Sequence, residues 1–169
     1  MSSYLAGLRA HVGHALVMVP GVAAIVRDDQ GRVLIQQRTD TGDVELPAGA
    51  IAPSEAPAQA VVREVFEETG LVVRPQRLLA VFGGRAFRFT YPSGDVVEYT
   101  VAYFECRVLR GTLGSRDGEA HSARFVAIDE APGRAAARLA RLRDTLSDGS
   151  QGAAFEWDDA WLAVDSVAG

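Results

Sequence analysis

Lysine and asparagine are absent from this chain, cysteine occurs once and histidine three times. All seventeen basic residues are therefore arginine. A GC-rich genome that avoids AT-rich codons explains this better than an adaptation to phosphate, so arginine content alone carries no functional message. The lone Cys106 excludes an intramolecular disulfide and a cysteine metal cluster, and its apolar, strand-like surroundings make it a buried, inert thiol. The longest apolar run, Ala15 to Val26, is short for a bilayer span and is interrupted by Pro20-Gly21. The N-terminus carries no signal-peptide pattern. These absences point to a cytoplasmic chain without membrane contact.

What is present is an ordinary globular balance, 48% hydrophobic and 23% charged over 169 residues. That length suits one domain with a proper core, residues 1–169, with a short N-terminal helix and a C-terminal tail. The net charge of −5 argues against nonspecific nucleic-acid binding, so no nucleic acid is expected as a partner. A polyanionic substrate would have its charge met by ions. No internal repeat is visible, and the composition leaves room for a homodimer.

Leu5, Leu8, Val12 and Ala15 recur near helical spacing and predict a short amphipathic helix. Gly21 to Arg27 and Arg32 to Arg38 are apolar, β-branched runs around Asp28-Asp29-Gln30-Gly31, which predicts a hairpin. A helix is expected from about Ala56 to Thr69, stopped by Gly70. Strands are expected over Leu71 to Phe82, Arg85 to Tyr91 and Val96 to Leu109, the last two joined by the turn Pro92-Ser93-Gly94-Asp95. A polar loop, Gly111 to Ala120, precedes a strand from Arg124 to Ile128 and a helix from Asp129 to Leu146. Phe155, Trp157 and Trp161 in the acidic tail are expected to cover an edge of the core.

The run Gly49 to Leu71, GAIAPSEAPAQAVVREVFEETGL, is where the chemistry concentrates. Glu64, Glu67 and Glu68 stand at i, i+3 and i+4 and share a helix face. Val62, Val65 and Phe66, with Ala58, are expected opposite them, so the helix reads as apolar inward and acidic outward. The like-charged pair Glu64 and Glu68 costs roughly 0.2–0.5 kcal/mol in an isolated helix unless a cation lies between them. A helix selected only for solubility would intersperse basic residues among these acids. Oxygen ligands without His or Cys favour Mg²⁺ or Mn²⁺ over zinc.

The same run resembles the Nudix box of the Nudix hydrolase family. Gly49, Glu55, Arg63, Glu64, Val65, Glu67, Glu68, Gly70 and Leu71 fill every position of that pattern. The resemblance implies an α/β fold, the Nudix-type α/β/α sandwich with a mixed β-sheet. It implies a metal-dependent hydrolase that cleaves a phosphoanhydride in a nucleoside diphosphate linked to another moiety: a nucleotide sugar, a dinucleotide or a nucleoside triphosphate. The alternative is a non-catalytic Nudix-fold module that binds a nucleotide or regulates. By resemblance Glu67 and Glu68 are direct metal ligands, with the Ala48 carbonyl as a backbone ligand. Glu64 binds a second ion or helps activate water, Glu55 belongs to the metal site or its support, and Arg63 orients Glu67.

Outside the box, Glu119 lies six residues before Phe125, in a region where Nudix enzymes often place a glutamate that reaches the metal or acts as base. His121 follows it, whereas His11 and His14 read as surface or packing residues. Arg85, Arg88 and Tyr91 interleave with Phe87 and Phe89 and are candidates for substrate contact. The spelling Glu-Leu-Pro-Ala-Gly is similar to that of ADP-ribose pyrophosphatases, but Ala86 and Phe87 occupy the neighbourhood where that subfamily carries a proline. Arg88 likewise does not supply the tyrosine expected in diadenosine-polyphosphate hydrolases.

Overall fold

The computed structural model describes residues 3–116, 118, 120–147 and 152–156. Helix α1 (Ser3–Val12) is followed by the long strand β1 (Val17–Arg27), and β2 (Val33–Arg38) returns antiparallel with Arg27 opposite Val33. Two short strands, β3 (Val44–Glu45) and β4 (Ala48–Ala50), lead into α2 (Pro57–Thr69). Then come β5 (Leu71–Phe82), β6 (Arg88–Thr90), β7 (Val96–Gly111) and β8 (Ala120–Val126). Helices α3 (Gly133–Arg141) and α4 (Arg143–Ser147) precede a last short strand, β9 (Ala154–Phe155).

The sheet runs β3-β2-β1-β7-β5-β9, with β4 also on β1, β6 on β7 and β8 on β2. It is mixed, because β1 pairs in parallel with β7 while β5 pairs antiparallel with the same strand. Strand β1 is covered on both faces, so its side chains divide by alternation. Ala23 and Ile25 join Leu79, Phe82, Tyr103, Leu139 and Leu142 in the cluster beneath α3 and α4. Val22, Ala24 and Val26 join Ala60, Val61 and Val65 of α2 in the other. Helices thus close the sheet on both sides. Arg138 ties α3 to β3 by a 2.8 Å bond to the buried Glu45. Arg9 of α1 reaches the β6–β7 turn through the Val96 carbonyl (2.6 Å) and Asp95 (3.5 Å).

Several expectations are corrected. The inward face of α2 is Ala60, Val61, Val65 and Glu68, whereas Ala58 and Phe66 are exposed and Val62 is only half-buried. Val61, Val65 and Glu68 stand at i, i+4 and i+7, one stripe of a 3.6-residue helix, so the helix is not acidic only on its outer side. The segment from Arg85 is no continuous strand. Gly84 takes a left-handed φ of 75° and Phe87 N–H bonds back to its carbonyl, a 3₁₀ turn that drives Phe87 into the core before β6 begins. The expected helix from Asp129 is broken at Ala131-Pro132, because Pro132 and the residue before it are extended. The strand expected from Arg124 begins at Ala120 and ends at Val126. Trp157 and Trp161 lie outside the described residues, while Phe155 is 72% exposed and does not cover the core. No helix among the described residues is long and apolar enough to cross a membrane.

Candidate active site

Helix α2 starts sharply, with Pro57 at its first turn and the Ala56 N–H bonded to Gln59 Oε1 at 2.9 Å. It stops at Gly70, whose left-handed φ of 74° lets its N–H close on the Phe66 carbonyl. Between these ends Arg63 gathers the acids. Its Nε and Nη2 each lie 2.9 Å from one oxygen of Glu55, its Nη1 bonds Glu64 (2.7 Å) and Glu67 (3.0 Å), and Nη2 also reaches the Ala50 carbonyl (3.0 Å). Those five acceptors match the five N–H donors of a guanidinium. Arg63 is thereby a saturated hub, and its predicted link to Glu67 is one of several. The hub holds the Glu55 carboxyl below the usual carboxylate range, with help from the Ala52 N–H at 3.0 Å. Both Glu55 oxygens are thus engaged.

Glu68 turns the other way. It is 1% exposed, accepts the Ala48 N–H at 3.0 Å and lies 3.7 Å from Nη1 of Arg38. Burial pushes its carboxyl up to about 8, and the charge of Glu64 adds to this, while the Gln36 amide, the Ala48 N–H and Arg38 oppose it. Gln36, 2% exposed, keeps a buried Oε1 with no protein partner beside this acid. Glu64 depends on a missing side chain. A Cβ on Gly49 would fall well inside 3.0 Å of the Glu64 Cδ and both its oxygens, so only glycine leaves the cradle that this carboxylate fills.

The loop after β7 is latched over the end of α2. Gly114 N–H bonds the Thr69 carbonyl (2.9 Å) and Arg116 N–H bonds the Glu67 carbonyl (2.7 Å). This approach is too close for side chains, since a Cβ on Gly70 would meet the carbonyl oxygens of Thr112 at 2.5 Å and Gly114 at 2.7 Å. Glu119 lies outside the described residues, but Ala120 beside it pairs with Arg38 on β2. His121 is exposed. Of the substrate candidates, Arg85 is exposed on the 3₁₀ turn and Arg88 pairs with Glu98 at 2.8 Å. Tyr91 shares a 2.9 Å hydrogen bond with the hydroxyl of Tyr99. Gln36 and Arg38 escaped the sequence reading, although their i, i+2 spacing on a predicted strand placed them on one face.

Among the described residues no three acidic, histidine or cysteine side chains already converge on one point as metal ligands would. The all-oxygen set of Glu64, Glu67 and Glu68, with the cradle at Gly49, nevertheless suits a hard divalent cation. A wide apolar groove of about 750 Å³ between the outer face of α2 and β5 shares with this cluster only Arg63.

The NUDIX domain model matches residues 17–146, a stretch that contains the whole cluster. The chain belongs to the Nudix family. A MutT-like protein of Streptomyces ambofaciens is 43% identical over 61 residues, 36% of this Nudix chain and 40% of that protein. An RNA pyrophosphohydrolase of Yersinia enterocolitica is 41% identical over 61 residues, 36% of this chain and 35% of that one. The chain thus matches well under half the length of these curated relatives. Among solved structures, a UDP-X diphosphatase superposes with a TM-score of 0.68 at 23% identity, covering 92% of this chain and 76% of that one. An ADP-ribose pyrophosphatase from Streptococcus suis gives 0.64 at 24% identity, covering 83% and 98%. At these identities the likeness establishes the Nudix α/β/α sandwich and no more.

Proposed function

We propose that this Nudix protein is a Mg²⁺- or Mn²⁺-dependent pyrophosphohydrolase acting on a nucleoside diphosphate linked to another moiety. The observation that carries the reading is the Arg63 hub, which holds Glu64 and Glu67 side by side next to a buried Glu68. Glu64, Glu67 and Glu68 would hold the ion, with the Ala48 carbonyl as a backbone ligand. When bound, it supplies neutralisation of phosphoryl charge and a more acidic water. Glu55 serves as support, since both its oxygens already hold Arg63. Glu119 or Glu64 takes the proton from the attacking water. The substrate is a small nucleotide, in keeping with the printed activities of the UDP-X diphosphatase and the ADP-ribose pyrophosphatase.

A product-resolved screen tests this reading. Nucleotide sugars, dinucleotides, coenzymes, nucleoside triphosphates and 5′-triphosphorylated RNA would be offered with Mg²⁺ and with Mn²⁺. Turnover of a nucleotide sugar or dinucleotide to a nucleoside monophosphate is the expected result. Tight nucleotide binding without turnover of any of them would replace the enzyme by a binding module.

A further inference from the structure

Strand β2 runs through the core on apolar side chains and ends its buried stretch on a polar one. Val33, Leu34 and Ile35 are fully buried, and Gln36 after them is 2% exposed. Leu34 packs with Ala60, Val61 and Val65 of α2, so Gln36, two residues on, faces the same helix. There it meets Glu68, which follows Val61 and Val65 on the inward stripe of α2. Pairing with Glu45 of β3 and Ala123 of β8 holds the Gln36 backbone from both sides.

Two apolar side chains at these positions would extend the core cluster. A glutamine and a glutamate stand there instead. The Gln36 amide bonds the Glu68 carboxylate, while its Oε1 stays buried with no partner among the described residues. A buried carbonyl oxygen that meets no donor opposes folding, so the needs of the fold do not account for this side chain. Its engaged end acts on Glu68. The Ala48 N–H reaches that carboxylate from the backbone at 3.0 Å, and Nη1 of Arg38 stands at 3.7 Å, beyond a good hydrogen bond. Gln36 thus adds a side-chain donor from a strand that the sheet keeps rigid.

We propose that Gln36 is a positioning residue of the metal site, its amide N–H fixing the Glu68 carboxylate in the orientation that takes a divalent cation. This rests on Glu68 being a ligand, as in the pyrophosphohydrolase reading, and does not require turnover.

The test is Mn²⁺ binding to the full chain, followed by electron paramagnetic resonance, beside melting curves in chelator. Gln36→Met keeps the length of the side chain and removes both polar ends. It is expected to weaken Mn²⁺ binding by about tenfold or more, as removal of a group that orients a metal ligand does. Tm in chelator should stay within about 4 °C of wild type, because the lost bond to Glu68 and the relief of the unpaired Oε1 oppose each other. Gln36→Asn retracts the amide by one methylene and should weaken Mn²⁺ by about threefold or more. In a Glu68→Gln background Gln36→Met should cost no more than about twofold further, since its effect passes through that carboxylate. Mn²⁺ affinity unchanged in Gln36→Met would overturn the proposal. A full further loss in the Glu68→Gln background would overturn it too, because Gln36 would then act without Glu68. A larger fall in Tm accompanying the lost affinity would make Gln36 a support of the fold and not of the ligand. Should Gln36→Met fail to fold, unchanged Mn²⁺ binding in Gln36→Asn overturns the assignment by itself. No Mn²⁺ binding in the wild type would remove the metal site and this inference with it. A wild type that binds Mn²⁺ through Gln36 and Glu68 but hydrolyses nothing would refute the enzymatic reading and leave this one standing.

Discussion

Replacing Gly49 by alanine should separate activity from stability more cleanly than any change to a carboxylate. The added Cβ would overlap the Glu64 carboxylate, with Cδ and both oxygens well inside 3.0 Å, a distance that real Cβ atoms essentially never show. Glycine at position 49 is not required by its backbone, because its φ is not among the positive ones. The clash is also with the far end of a flexible side chain rather than with backbone, so Glu64 can swing away. To restore ordinary contact the carboxylate must move by about 1 Å, and a misplacement of about that size at a reacting centre costs on the order of a hundredfold in rate. The folding cost includes the Arg63–Glu64 bond of 2.7 Å. A part-buried hydrogen bond of that kind contributes about 1–2 kcal/mol to stability, and about 1 kcal/mol lowers Tm by roughly 2–4 °C in a chain of this size.

The assay pairs a melting curve with steady-state turnover at saturating Mg²⁺ on whichever substrate the screen identifies. Loss of about a hundredfold in kcat with a Tm within about 8 °C of wild type is the expected pattern. Turnover within about threefold of wild type would show that the position of the Glu64 carboxylate does not matter to the chemistry, and the metal and water roles given to it would fall. A collapse of the fold would show instead that Gly49 is needed for the β1–β4 pairing, in which it stands opposite Val22.

Glu67→Gln should lower kcat by about a hundredfold or more without unfolding the protein, because it removes ligand charge where transition-state charge develops; near-normal kcat at saturating Mg²⁺ refutes the ligand role. Arg63→Ala should also impair turnover, through Glu64 and Glu67 losing their shared donor, and higher Mg²⁺ should restore part of it; a complete lack of rescue in a Mg²⁺ titration counts against an indirect role. Glu68 makes the metal-free protein sensitive to pH. Its folded value of about 8 lies above its ordinary 4.5, so the folded state binds the extra proton and stability declines as pH rises through that window, at up to about 1.4 kcal/mol per pH unit. Melting curves in chelator from pH 4 to 9 should show this slope in the wild type and its loss in Glu68→Gln; identical slopes in the two would refute the burial argument.

Local features of this chain are legible in its sequence. The Asp28 to Gly31 turn, the Gly70 stop and the i, i+4 link from Arg63 to Glu67 all depend on neighbours within one turn, and each appears as expected. The breaks at Gly84 and at Pro132 were equally local and were overridden by the apolar patterning around them. A different limit applies to Glu68. Whether a helical glutamate faces water or a sheet depends on where β2 lies, and Gln36 and Arg38 stand about thirty positions before it in the chain. The register of β2 against β8 and of β1 against β7 brings those groups to the helix, and no window of local sequence encodes it.

That division bears on how the site would work. The Arg63 hub is built from the box itself, with Glu55, Glu64 and Glu67 held by one side chain, so it can form wherever the loop and helix form. The electrostatics of Glu68 come from the box only through the charge of Glu64, and otherwise from outside it, by burial, by the Gln36 amide and Arg38 of β2 and by the Ala48 N–H of β4. The box can therefore keep its carboxylates unchanged while β2 alters what they meet. Gln36 and Arg38 on β2 are the positions at which such a change would meet Glu68.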